Sequence, residues 1–201
     1  MARLRIAAVS YLNTVTFVHG MEHEAEKLHA DILLQIPSLC AESILNRRVD
    51  IALVPVAALL RDTSLKIVTP YCIGASGPVR TVSIVSPCPI EEVKTIMLDS
   101  HSRTSAALTE LLCRERWGIS PEFAQLTDYS SVLAPSPHTA YLLIGDKVFD
   151  YEGRLPYSYD LASEWIAHTS LPFVFAAWVA RPDIDDDNIA TLEKALAYGT
   201  T

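Results

Sequence analysis

Cysteine is sparse and unpaired in this sequence. Cys40, Cys72, Cys88 and Cys113 are its four cysteines in 201 residues. No two form a CxxC, and no Cys/His spacing suits zinc, so the thiols read as reduced and mostly buried, with no metal expected. Long apolar runs are missing too. Ile6–Val9 stops at Ser10, too short for a signal-peptide core. Leu171–Ala180 contains Pro172 and falls well short of a ~20-residue membrane span. The expected compartment is the cytoplasm. Positive charge is scarce, with 16 Lys+Arg against 24 Asp+Glu and a net charge of -8. That balance argues against nucleic acid or an anionic membrane as partner. An anionic ligand must then be held by local dipoles and a few cations. GxSxG, HExxH, Walker sequences and paired carboxylates at helical spacing are all absent, which disfavours a metal or nucleophilic enzyme. No cofactor is expected.

What is present is an ordinary globular composition, half hydrophobic and one fifth charged, which excludes disorder. Apolar strands are expected at 4–9, 32–36, 50–54, 65–69, 81–86, 95–98, 140–144 and 173–179. Helical faces fall at Ala41/Ile44/Leu45, Ala107/Leu108/Leu111/Leu112, Leu161/Trp165 and Ile189/Leu192/Leu196. Asp160 is placed to cap the third of these. Continuously apolar strands alternating with helices predict α/β architecture with largely parallel sheets. The Pro87-Cys88-Pro89 break and the Leu171-Pro172 step suggest two chain crossings. They define an outer lobe, 1–84 plus 173–201, and an inserted lobe, 85–172, with a small-molecule ligand expected in the cleft between them.

Five segments carry candidate chemistry. Ser10-Tyr11-Leu12-Asn13-Thr14 follows the first strand, where open α/β sheets bind ligands. Its hydroxyls and amide suit either a ligand or plain turn capping. Gly74 to Thr81 offers close backbone approach at its glycines, with Ser76 and Thr81 hydroxyls and an arginine, Arg80, able to grip a carboxylate. Read alone, it is a tight turn with a solvated arginine. Asp99 to Ser105 places Ser102, Arg103, Thr104 and Ser105 at a helix N-terminus, a ready anion site with more hydroxyls than capping needs. His101 lies in the same loop. Gly145 and Asp146 end a strand and either orient a polar ligand or cap the turn. The aromatic segment around Trp165 and Phe175 reads as lobe core and hinge.

Taken together, SYLNT at 10–14, CAESILNRRVDIALVPV at 40–56, GPVRTV at 77–82, LDSHSRTS at 98–105, IGD at 144–146 and DLASEWIAHTSLPFVFAAW at 160–178 resemble the chorismate dehydratase family of the futalosine route to menaquinone. The resemblance runs in order over nearly the whole chain. It implies a periplasmic-binding-protein-like fold of the two-lobed type 2 class with two chain crossovers. Members differ in carrying a proline soon after SYLNT, where Val15-Thr16 stand here, and in running on past the last helix.

The resemblance implies a hydro-lyase that converts chorismate to 3-[(1-carboxyvinyl)oxy]benzoate and water. Aromatisation drives that loss, so orientation and a proton acceptor are the main needs. The expected catalytic residue is Asn13, with the enolpyruvyl carboxylate of the substrate taking the proton and His101 as the competing base. Ser10, Tyr11, Ser76, Arg80, Thr81, Ser102, Arg103, Thr104, Ser105, Gly145 and Asp146 are the expected substrate contacts. The alternatives are a non-catalytic two-lobed module binding a small aromatic carboxylic acid, and the sister dihydroxynaphthoate synthase.

Overall fold

The computed structural model describes residues 3–100 and 103–201. The first stretch holds β1 (Leu4–Val9), α1 (Val15–His23), α2 (Ala25–Leu28), β2 (Ala30–Gln35), α3 (Pro37–Leu45), β3 (Ile51–Pro55) and β4 (Lys66–Ala75). Next come β5 (Val82–Ser86), β6 (Thr95–Asp99), α4 (Arg103–Glu115), β7 (Glu122–Leu126), β8 (Thr139–Ile144), α5 (Val148–Tyr151), β9 (Tyr157–Asp160) and α6 (Leu161–Thr169). The chain closes with β10 (Phe173–Ala180) and α7 (Asp186–Thr200). Two compact units result: residues 1–73 with 174–201, and residues 74–173. No described helix is long and apolar enough to cross a membrane.

Each unit is built on one five-stranded sheet, in the order β2-β1-β3-β10-β4 in the first and β7-β6-β8-β5-β9 in the second. The sheets are mixed, a correction to the largely parallel expectation. β1 runs parallel to β2 and β3, but β10 is antiparallel to β3. Likewise β6 is parallel to β7 and β8, while β5 is antiparallel to both β8 and β9. β10 and β5 are the strands that follow the two crossings. They enter their sheets directly, without the crossover helix that makes neighbours parallel. The same pairing moves the first crossing. The proline break at 87–89 suggested 84/85, yet β5 hydrogen-bonds inside the second sheet and the division falls after Ile73. The return crossing falls at 173/174, against 172/173.

Local sequence explains most elements. All five residues of β3 are buried, as a continuous apolar run requires. α3 begins with Pro37 at its first position, where the missing N–H costs nothing. Asp160 caps α6 by accepting from Ser163 N, and Asp185 caps α7 by accepting from Asn188 N. Five elements escaped the periodicity: α1, α2, β7, α5 and β9. α1 contains Val15, Thr16, Val18 and Gly20, all weak helix formers, and is held by packing against α7. A Cβ on Gly20 would sit 2.0 Å from the Ala195 carbonyl oxygen, and one on Gly199 would sit 1.9 Å from that of Thr16. Only glycine permits so close a helix contact. β7 is an edge strand with four of five residues exposed, and β9 reads Tyr-Ser-Tyr-Asp. Neither carries an apolar signal.

The first unit's core centres on the fully buried Trp178, with Phe17 edge-on to it at 6.0 Å and to Tyr71 at 6.4 Å. Its polar knot is Asp50. This carboxylate accepts from Arg5 N, Arg5 Nε and Arg5 Nη2 at 2.9, 3.3 and 3.0 Å, and pairs with Arg181 Nη2 at 3.2 Å. It therefore ties the start of β1 and the end of β10 to β3. Burial pushes the Asp50 pKa up, but the Arg5 hydrogen bonds and the charges of Arg5 and Arg181 outweigh it, and the net shift is downward. A lowered folded-state pKa stabilises the fold above the unfolded value and is lost as pH falls through the folded one. Asp50→Ala is expected to cost about 2 kcal/mol at neutral pH, the scale of bonds to a charged group. In urea titrations the gap between Asp50→Ala and the parent should shrink below about pH 4; a gap that is constant with pH would remove the electrostatic reading.

Candidate functional site

In the first unit, SYLNT follows the C-terminal end of β1. Ser10 N donates to the Gln35 carbonyl at 2.9 Å, fixing the loop to β2. Leu12–Thr14 form one turn of 3-10 helix starting after the half-buried Tyr11. Thr14 is fully buried, and its hydroxyl reaches the Tyr11 carbonyl at 3.0 Å and Asn13 Oδ1 at 3.3 Å. Asn13 itself is exposed. With Oδ1 engaged by Thr14, the amide presents its Nδ2 protons as donors. Thr14 is thus the turn residue and Asn13 the outward one.

In the second unit, the other candidate segments meet at one end of one sheet. β5 pairs Val82 with Ile144, β9 pairs Asp160 with Ser83, and β6 ends at Asp99 in parallel with β8. Cross-links then join the loops. Gly145 N donates to the Thr81 carbonyl at 2.8 Å. Asp160 Oδ2 accepts from Val79 N and Arg80 N at 2.9 and 2.7 Å, while its Oδ1 caps α6. One carboxylate so orders both the GPVRTV loop and a helix start. Arg80 needs that restraint, because its φ of 61° lies in the left-handed region, uncommon for a side chain with a Cβ. Gly145 turns at φ 76°, which glycine adopts without strain. Ser76 is exposed and Thr81 half-buried.

Arg80 is not left open. Its Nη2 lies 2.8 and 3.1 Å from the two carboxylate oxygens of Glu152, and its guanidinium carbon sits 5.7 Å from the Phe149 ring centre. Both side chains of this ion pair are mostly exposed. Such pairs are worth at most about 1 kcal/mol, so an incoming carboxylate can compete for the arginine. Asp146 is exposed and its carbonyl accepts from Phe149 N, a turn role.

α4 begins at Arg103, so the amides of Arg103, Thr104 and Ser105 lie in its first turn. Thr104 and Ser105 are buried at 3% and 1% exposure. His101 and Ser102 lie outside the described residues. What the sequence did not flag sits directly beneath this helix start. The Asp99 side chain has no exposed surface, and its Oδ2 lies 2.6 Å from Lys147 Nζ. Lys147 also donates to Tyr129 Oη at 2.7 Å, with its ammonium 4.2 Å from that ring's centre. Tyr151 Oη donates to the Tyr129 carbonyl, and Ile144 N lies 3.4 Å from Asp99 Oδ2. Burial, followed by the Asp99 charge, pushes the Tyr129 pKa far up, so it stays a neutral phenol. Asp99 precedes the α4 loop and Lys147 follows IGD, so this pair fastens the two loops together. The signal available was an aspartate closing an apolar strand and a lysine just after a Gly-Asp turn, but they lie 48 positions apart in the sequence.

Breaking one side of a buried pair leaves an uncompensated charge. Lys147→Met should therefore cost about 3 kcal/mol in urea unfolding. Asp99→Asn combined with Lys147→Met should recover part of that loss. A double variant as weak as the sum of the singles would refute the coupling.

A family profile described as Menaquinone biosynthesis matches residues 4–200. The chorismate dehydratase of Thermus thermophilus is 27% identical over 190 residues, 85% of this chain and 67% of that protein. Among solved structures, a protein from Archaeoglobus fulgidus superposes with a TM-score of 0.74 at 15% identity, over 98% of this chain and 76% of that one. The alkanesulfonate-binding protein SsuA of Xanthomonas axonopodis pv. citri gives 0.61 at 14% identity, over 99% and 73%. The methionine-binding protein MetQ gives 0.54 at 12% identity, over 96% and 89%. These likenesses assign a periplasmic-binding-protein-like α/β fold. The profile spans nearly every residue of both units, and the chain belongs to the menaquinone biosynthesis family.

Proposed function

We propose that this chain is a chorismate dehydratase, removing water from chorismate to give 3-[(1-carboxyvinyl)oxy]benzoate. The observation that carries the reading is the likeness to the Thermus thermophilus chorismate dehydratase along 85% of the chain, together with the family match. The site chemistry supports it. A dianionic substrate meets no broad positive field in a chain of net charge -8. It is met instead by the first-turn amides of α4, where the helix dipole favours a carboxylate. Arg80, loosely held by Glu152, and the Ser76–Thr81 backbone serve the second carboxylate. Tyr129, a neutral phenol, cannot act as base. Asn13, whose amide is not a base either, orients the substrate and polarises the leaving hydroxyl. The proton goes to the enolpyruvyl carboxylate of the substrate itself.

The fold also favours one other reading, since the similar solved structures include proteins named for binding methionine or alkanesulfonate and fold alone does not specify chemistry. Incubation with chorismate and mass analysis separates the two: a product lighter by one water supports the lyase, and binding without that loss supports a binding module. Asn13→Ala should lower turnover by roughly a hundredfold, the scale of losing one preorganised donor, while calorimetric affinity for chorismate changes far less. Equal small losses in both would reduce Asn13 to a turn residue. If His101→Ala abolished turnover with binding intact, the substrate-assisted route would fail.

The anion role of the α4 start has its own test. Thr104→Val keeps the side-chain shape and removes the hydroxyl. It should weaken chorismate binding by about 1–2 kcal/mol, near the range for a hydrogen bond to a charged group, and unchanged affinity would move the carboxylate elsewhere.

A further inference from the structure

The opposite end of the second sheet carries a cluster that the dehydratase reading does not use. Continuing the antiparallel register Val82↔Ile144 to Val85↔Tyr141 beyond the paired residues sets Cys88 opposite His138. Cys88 follows β5, His138 precedes β8, and Glu92 ends the 3-10 turn Ile90–Glu92 between β5 and β6. Their ligand atoms, one sulfur, one carboxylate oxygen and one ring nitrogen, all lie within 4.8 Å of one another.

Each ligand is held by the fold around it. The Ser86 hydroxyl lies 3.7 Å from Cys88 Sγ and accepts from Cys88 N at 3.3 Å. Ser86 is fully buried, so its O–H is positioned to donate to a thiolate. His138 Nδ1 lies 2.9 Å from the Glu92 carbonyl oxygen. A carbonyl only accepts, so Nδ1 carries the proton and Nε2 keeps its lone pair. The His138 carbonyl is gripped by Lys94 N and Thr95 N, and the Glu92 turn is pinned by Ile90 N donating to Tyr159 Oη at 2.9 Å. Outer contacts of this kind orient the ligands of metal sites.

We propose that Cys88, Glu92 and His138 form a binding site for a borderline-soft divalent transition-metal ion, zinc or cobalt. A tetrahedral ion with bonds of about 2.0–2.3 Å places its ligands ~3.3–3.8 Å apart, which small side-chain rotations here supply. A thiolate with a carboxylate neutralises the dication, and the imidazole adds the third bond. The fourth position is left to water. Sulfur and nitrogen ligands select against magnesium and calcium. Binding displaces the thiol proton. The site is distinct from the loops at the Asp99 end of the sheet, and its test does not depend on any activity.

Cobalt(II) titrated into the full chain under reducing conditions should bind once per chain and give a thiolate-to-cobalt charge-transfer band that zinc(II) abolishes. Cys88→Ser should remove the band, and His138→Ala or Glu92→Gln should weaken binding at least tenfold. Cys72→Ser, on another half-buried thiol, should leave the band unchanged. Ser86→Ala should weaken binding by roughly tenfold, as loss of an outer contact does. A band that survives Cys88→Ser, binding indifferent to His138→Ala, or no charge-transfer band at all would overturn the site.

Discussion

A carboxylate with no exposed surface must be answered by a cation, and in the second unit that answer is Lys147 at 2.6 Å from Asp99. Removing both ions from water is expensive, so the pair persists only with further polar partners. Tyr129 supplies one, taking a hydrogen bond from the same ammonium. Because Asp99 ends β6 and Lys147 follows the turn after β8, this one contact sets the spacing between the α4 start and the Gly145 turn. Gly145 is in turn bonded to Thr81, and the loop before Thr81 is held by Asp160. The candidate anion-binding backbone is thus an outcome of two buried or half-buried aspartates rather than of the hydroxyl side chains that first drew notice.

That arrangement suits an acidic protein whose proposed substrate is a dianion. Two side-chain cations at the second-unit site are engaged, Lys147 by Asp99 and Arg80 by Glu152. Main-chain amides at a helix start add a local dipole that needs no net positive charge. Asn13 fits the same economy of charge, a neutral donor raised on a buried threonine.

The two units repeat one logic with different knots. In the first, Asp50 ties β1 and β10 to β3 through Arg5 and Arg181. It thereby joins segments from the two ends of the chain into one sheet. In the second, the sheet has a chemically different set of residues at each end: Asp99, Gly145 and Asp160 at one, Cys88, Glu92 and His138 at the other. The antiparallel entry of β5 creates both ends, since it sets Val82 against Ile144 and aims Cys88 toward His138.

The strongly apolar strands and the α6 cap were legible in the sequence because their causes are local. The run Ile51–Val54 is apolar in sequence and buried in the fold, and Asp160 caps the helix it was expected to cap. The motifs around Asn13, Thr104 and Gly145 were legible as a set through their order along the chain. α1 was not, because a helix made from Val15, Thr16, Val18 and Gly20 is stabilised by α7, almost the whole chain away, through a contact that two glycines allow. The strand directions, the first crossing and the Asp99–Lys147 and Cys88–His138 juxtapositions were decided by tertiary structure alone. Each depends on strand pairing between distant segments, and pairing register leaves no periodic mark on either strand separately.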